Sequence, residues 1–472
     1  MDTFLKTLDL KSWDVWFPLS FIALFGVLAI AVALGGVGFG IDAKDAEQLR
    51  TIYTDIGVQV TGGIFAIVMS LSLVAIQFAA QEYSHRIMEY YIKSVIFWST
   101  VVVYLGVMIA GILLQASSSE RHGQIPASLV LVGTILALVM LIPHFLVTAL
   151  YLKPEFIIRK LVRRVDRSYL QAIPSLRTPR GDRMDIADDR LLPVVEITER
   201  AIDRGDIITA RGALQQIEEV YTMSANDLHN ASVDEYIVGH LSRIGRKAVV
   251  QSDEEQAARQ VIQILGGIGA SGREDLAIEA IDALGFNALK RESEIVVGQM
   301  ISSLRLILDT GSPQARQRVL AIYGDLLQRL ASQREERLLR DLGVQLSEIG
   351  HRAQRQGDAS VARRCLDLVE AAGRDAARNA MIPLVRQSAK TLQDIGILVA
   401  ENDPASAEET VLRLIRIERS LDRNQTDAMA ALEVAKGEIE RLIASADRPT
   451  SEVAEESGDA VELSDLWRES NP

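Results

Sequence analysis

The sequence predicts an all-α chain: a four-helix transmembrane module followed by a cytosolic α-helical array of degenerate HEAT-like type. Three observations carry that prediction. Residues 1–152 hold four long runs without Asp, Glu, Lys or Arg, each long enough to cross a bilayer as a helix. Beyond them, apolar residues recur at helical spacing and no convincing strand is found. Inside that helical part an Ile–Gly or Leu–Gly pair recurs at spacings in the range of two-helix repeats.

The chain has 472 residues, enough for two or three domains, and its 48% hydrophobic and 24% charged residues are sharply divided between the two parts. A net charge of −13 leaves no excess of basic residues for phosphates and argues against a nucleic-acid partner. The single cysteine, Cys365, excludes an intrachain disulfide and a cysteine-based metal cluster.

Residues 1–16 read as an interfacial lead, with Trp13 and Trp16 at headgroup level. Asp2, Asp9 and Asp14 remove the positive segment that a cleavable signal requires. The transmembrane domain, 17–152, has expected spans at about 17–39, 56–81, 95–116 and 127–152, with a short mixed-charge loop over 41–55. Pro143 and His144 predict a kink in the fourth span. After it come Lys153, Arg159, Lys160, Arg163, Arg164 and Arg167. This is the largest basic cluster near any span end, so the C-terminal side is cytoplasmic, and four spans return the N-terminus to the same side.

The second span is the distinctive one. Gln59, Gly63, Ala66, Ser70 and Gln77 fall at spacings of three, four and seven, so one helical face is small and polar, and Gly62 and Ser72 widen it. That face has two uses. It can bond and pack against neighbouring helices, or it can line a pore at the centre of an oligomer, four spans being few for a pore within one subunit. The spans lack acidic and basic side chains, which disfavours ion-coupled transport.

Residues 153–173 predict a basic amphipathic helix. Ile157, Leu161, Val165 and Tyr169 form its apolar line, and Arg159, Lys160, Arg163, Arg164 and Arg167 are candidates for contact with an anionic inner leaflet. Residues 174–193, with Pro174, Pro179, Gly181 and Pro193, read as a linker. The helical array covers 194–446. Gly205-Asp206, Gly357-Asp358 and Asn402-Asp403 predict helix ends at which the first residue turns left-handed and the Asp caps the next helix. Ser271-Gly272 and Gly311-Ser312-Pro313 do similar work. The pairs Ile244-Gly245, Ile268-Gly269, Leu284-Gly285, Ile349-Gly350 and Ile395-Gly396 predict close helix packing. From Asp447 the tail carries eight acidic and two basic residues, a net of 2 − 8 = −6, and reads as disordered.

No catalytic constellation is visible. The six histidines show no metal spacing, and no cofactor motif is present. Gly266-Gly267-Ile268-Gly269 lacks the strand and lysine of a phosphate loop and reads as a break between helices.

The stretch Ser70 to Arg86, S-L-S-L-V-A-I-Q-F-A-A-Q-E-Y-S-H-R, is followed by a third span opening V-I-F-W-S-T-V-V-V-Y. With Leu73, Val74, Ala75, Gln77, Ser84, Arg86 and Tyr104, residues 63–154 resemble a large bacterial family of predicted integral membrane proteins of uncharacterised function. The resemblance implies a four-span inner-membrane protein, with Ser84 and Arg86 in a cytoplasmic loop, and supplies no activity. The family's proline- and asparagine-containing cytosolic motif is missing here. Together these features predict a non-enzymatic homo-oligomer presenting a cytosolic platform to another protein. The alternative is an oligomeric channel lined by the second span, with the cytosolic domain as an assembly or gating ring.

Overall fold

The structure, a computed structural model, describes residues 43–82, 94–116, 124–176, 188–227, 230–251, 255–402, 404–422 and 425–446. The lead, the first expected span, Ser84, Arg86 and the acidic tail lie outside the described residues. Every element among the described residues is a helix. Two compact units divide the chain, 1–240 and 241–472.

In the first unit, α1 (Ala43–Glu82), α2 (Val95–Ala116) and α3 (Gln124–Tyr151) pack pairwise against one another. Each contains a segment long and apolar enough to cross a membrane: Val58–Phe78, Ile96–Leu113 and Gly133–Tyr151. The α2 bounds coincide with the expected third span. One expectation about the spans is corrected. The mixed-charge loop over 41–55 is largely helix, because Ala43 to Arg50 are mostly strong helix formers that extend the span. At 40 residues α1 is therefore about 60 Å long, twice the hydrocarbon core. Helix α3 continues on both sides of Pro143.

The basic segment after α3 is also not one helix. It is α4 (Pro154–Val162) and α5 (Arg167–Leu176), separated at 163–166. Asp166 makes the break, its carboxylate accepting from the Tyr169 N–H at 3.0 Å as a capping residue does. Ile157, Leu161, Val165 and Tyr169, the expected membrane-facing line, are all buried in protein. Helix α4 packs on α6 (Leu192–Asp203) and α7 (Ile207–Asp227), which supply the apolar surface that a leaflet was expected to supply. Helix α8 (Ala231–Val250) follows.

The second unit continues with α9 (Glu255–Ala270), α10 (Glu274–Leu289), α11 (Glu294–Thr310), α12 (Pro313–Gln333), α13 (Glu336–Arg355), α14 (Ala359–Arg378), α15 (Ile382–Asn402), α16 (Pro404–Glu418) and α17 (Thr426–Ala446). It is a two-layer stack. Helices α9, α11, α13, α15 and α17 pack in sequence in one layer, α10, α12, α14 and α16 in the other, and each helix also packs on its successor. Polar contacts repeat the same step: Arg316 to Asp358, Arg337 to Glu294, Arg386 to Asp427 and Arg413 to Asp367 span 42, 43, 41 and 46 residues. The two pairs exposed on both sides, Arg337–Glu294 and Arg386–Asp427, contribute little stability each, whereas Arg413 is buried at its contact with Asp367.

The recurrent glycines lie inside this stack. A Cβ built on Gly350 would stand 2.6 Å from Ile395 Cδ1, and one on Gly396 would stand 2.6 Å from Ile439 Cδ1. Gly245, Gly269 and Gly373 meet Leu284, Ile307 and Ile417 in the same way. Each glycine opens a hole that a branched side chain two helices later fills. The Gly266–Gly269 run is not a break between helices: it is the last turn of α9, brought close to Ser303 and Ile307 of α11.

Candidate functional site

The structure separates the residues expected on one face of the second span. Ser72 points inward and is buried, its Oγ 2.7 Å from Val68 O and 2.8 Å from His144 Nε2 on α3. With the hydroxyl hydrogen on Val68 O, the imidazole N–H is the donor to Ser72. Gly62 lies against α2, where an added Cβ would meet Met108 Cε at 3.5 Å. Gln59, Gly63, Ala66, Ser70 and Gln77 are instead exposed on the outside of the three-helix module. Among the described residues no atom lies within 4 Å of a Cβ built on Gly63.

The interior of the module satisfies its polar groups. Thr61 and Thr134 hydroxyls approach to 3.5 Å, Tyr104 OH donates to Ala137 O at 2.8 Å, and Thr100 donates to Ile96 O at 2.8 Å. Phe65 stacks on Tyr104 with ring centroids 5.6 Å apart. In a bilayer such groups have no water to fall back on, so each is paired within or between helices. Nothing in residue type links Thr61 to Thr134 or Ser72 to His144 across 73 and 72 positions of sequence.

The end of α1 is held by a second contact that no local signal announces. Gln81 O, in the last turn, accepts from Arg200 Nη1 at 3.1 Å and Arg204 Nη2 at 2.8 Å. Terminal helix carbonyls lack intrahelical donors and carry the negative end of the helix dipole, so two guanidinium groups from α6 and its end fit there.

Beside α6, part of the expected linker is an ordered polar knot. Asp189 Oδ1 accepts from the Leu191 and Leu192 N–H groups at 3.1 and 2.9 Å and from Tyr236 OH at 2.5 Å. Asp189 Oδ2 lies 3.1 Å from His240 Nε2. Tyr169 OH donates to Asp188 O and accepts from Arg190 N, each at 3.0 Å. Burial pushes the Asp189 carboxyl up. The hydrogen bond and charge of His240, with the bonds from Tyr236 and Leu192 N, outweigh it and hold the group below its ordinary value. Burial, then the Asp189 charge, raises the Tyr236 phenol.

Of the expected membrane-surface residues, Arg159, Arg163, Arg164 and Arg167 are exposed. Lys160 donates to Tyr151 OH at 2.6 Å, at the end of α3. The array itself is close-packed, and among the described residues no group of three or more His, Cys, Asp or Glu is placed to hold a metal ion.

No family model matches the chain, and no curated protein matches it. Among solved structures it is similar to a circular tandem repeat protein with novel repeat topology and enhanced subunit contact surfaces, at 15% identity and a TM-score of 0.34, over 89% of this chain and 100% of that one.

Proposed function

We propose that this chain is a multi-pass protein of the bacterial inner membrane that presents a cytosolic helical-repeat platform to a protein partner and carries out no reaction of its own. The observation that supports it most is the α9–α17 stack. Its interior is filled by its own glycine holes and branched side chains, so its helix faces are what it offers to other molecules. Stacked helix pairs form extended surfaces of the kind used for protein contacts. Isolated large apolar side chains, Ile295, Val344 and Val434, project from one layer. The exposed arginines after α3 support a cytoplasmic C-terminal side through the positive-inside tendency. With the apolar line of α4 and α5 buried, these arginines meet an anionic leaflet by charge alone, and high salt weakens that contact.

The test is site-specific photocrosslinking in living cells, with the photoreactive residue at Ile295, Val344 or Val434 of the full-length protein. The expected result is one and the same adduct from neighbouring positions of the layer, and none from buried Leu346. Absence of an adduct at all three exposed positions sinks the platform reading. A C-terminal reporter that is active only outside the cytoplasm overturns the topology independently.

A further inference from the structure

The outward stripe of α1 is unlike the rest of the module's surface. Helix α2 turns Val102, Leu105, Ile109 and Leu113 outward, and α3 turns Ile135, Leu138, Ile142 and Leu146 outward, all suited to lipid. Among the described residues of the three spans, every exposed amide or hydroxyl side chain lies on α1, as Gln59, Ser70 and Gln77. Gln59 and Gln77 are 18 residues apart, five full turns, so they point in one direction about 27 Å from each other along the axis. Gly63, Ala66 and Ser70 lie between them on the same side.

Hydrogen-bonding groups facing lipid tails are costly, and this module pairs those it keeps inside. Thr61 and Ser72 on the opposite side of α1 both meet partners on α3. The three outward groups make no hydrogen bond among the described residues. The remaining apolar run of the chain, 17–39, contains one hydrogen-bonding side chain, Ser20, and cannot pair with three groups spread over about 27 Å. A second α1 can. A carboxamide is both donor and acceptor and is therefore complementary to itself. Two copies inserted in the same sense are related by a two-fold axis along the membrane normal, which sets Gln59 opposite Gln59, Ser70 opposite Ser70 and Gln77 opposite Gln77. The open side of Gly63 and small Ala66 let the two backbones approach, as small residues do at helix contacts in membranes.

We infer that the outward face of α1, from Gln59 through Gly63, Ala66 and Ser70 to Gln77, is the intramembrane contact with a second copy of this chain. The proposal goes beyond the platform reading and does not depend on it.

The full-length protein in membranes, with Gln59, Ser70 or Gln77 replaced singly by cysteine, tests it by mild oxidation. The native Cys365 is fully buried, with its thiol pushed up to about 12 by burial, so it stays in place without competing. Disulfide-linked dimers are expected from all three positions, in excess over Leu138→Cys on the outer face of α3. Adding Gly63→Ile or Ser70→Leu to the Gln77→Cys protein should lower the dimer yield about tenfold, the scale of one lost interhelical contact. Among the described residues, Gly63 has open space at its Cβ position and Ser70 is exposed, so neither change meets packing there. Yields no greater than that of Leu138→Cys overturn the proposal. So does labelling of Ser70→Cys by a membrane-impermeant thiol reagent, which would place water along the stripe and make it a pore wall. An intrachain Ser20→Cys to Ser70→Cys crosslink in place of the dimer would assign the face to the chain's own first apolar run.

Discussion

Ser70 and Ser72 are two residues apart and have opposite fates. Ser72 is buried against His144, while Ser70 is exposed on the outside of α1. The 200° between them was legible in the spacing, and it should have divided the polar face in two. What the sequence could not supply was which half had a partner within the chain, since that depends on where α3 places Thr134 and His144. Asp189 shows the same limit. It looked like one charge in a linker, but Tyr236 and His240 come to it from 47 and 51 positions away. Its carboxyl sits below its ordinary value of 3.8 in the folded chain. The contribution it makes to stability is thus complete above the unfolded value and is lost as the pH falls through the lower folded one. Asp189→Asn should unfold more easily at pH 7 by about 2 kcal/mol, the scale of hydrogen bonds to a charged group. It should also lack that acid-dependent loss. Thermal unfolding of both proteins in detergent between pH 3 and 7 checks this. Parallel curves for wild type and variant at acid pH would show that Asp189 plays no such part.

At the level of elements, the helix ends written with glycine and aspartate formed as the sequence indicated. Gly205 and Gly357 take φ of 74° and 75°, and Asp206 and Asp358 accept from the N–H groups of Thr209 and Val361. Glu292, Arg334 and Ala380 make similar left-handed turns at φ of 57°, 61° and 57°, and no residue type marked them. With those turns unmarked by residue type, the sequence shows an array without showing every helix end. The Ile–Gly pairs mark close packing in the sequence and in the structure alike, but the knob for each hole lies two helices further on. Ile395 fills the hole at Gly350, and its neighbour Gly396 receives Ile439. Gly396→Ala should destabilise the array by about 1–3 kcal/mol through overpacking. Ile439→Val, which shortens the knob, should cost about 1 kcal/mol alone. Together they should cost less than their sum, because the shorter side chain leaves room for the new methyl. Unfolding midpoints of the four proteins measure that coupling, and strict additivity would mean that the two residues do not share a space.

Across the whole molecule, the described residues hold three helices apolar enough to cross a membrane and a helical repeat-like array, and the second unit behaves as a quasi-one-dimensional object in which each helix touches its successor and the helix after that. The pairs Ile349-Gly350 and Ile395-Gly396 continue as Ile439-Glu440. The last described helix therefore keeps the knob but replaces the hole with an exposed charge that pairs with Lys436. Such an array has energetics that are local: stability is a sum of repeat and neighbour terms. Gly350→Val puts a branched side chain where even a Cβ would stand 2.6 Å from Ile395 Cδ1 and 3.4 Å from Cys365 Cβ. The strain falls on α13, α14 and α15, and α9 and α10 share no contact with the site. Amide hydrogen exchange should accelerate in α13–α15 by the factor that about 1–3 kcal/mol implies, while α9 and α10 keep their protection. If the nine helices instead opened as one cooperative body, exchange would rise equally from α9 to α17, and nearest-neighbour energetics would not describe this array.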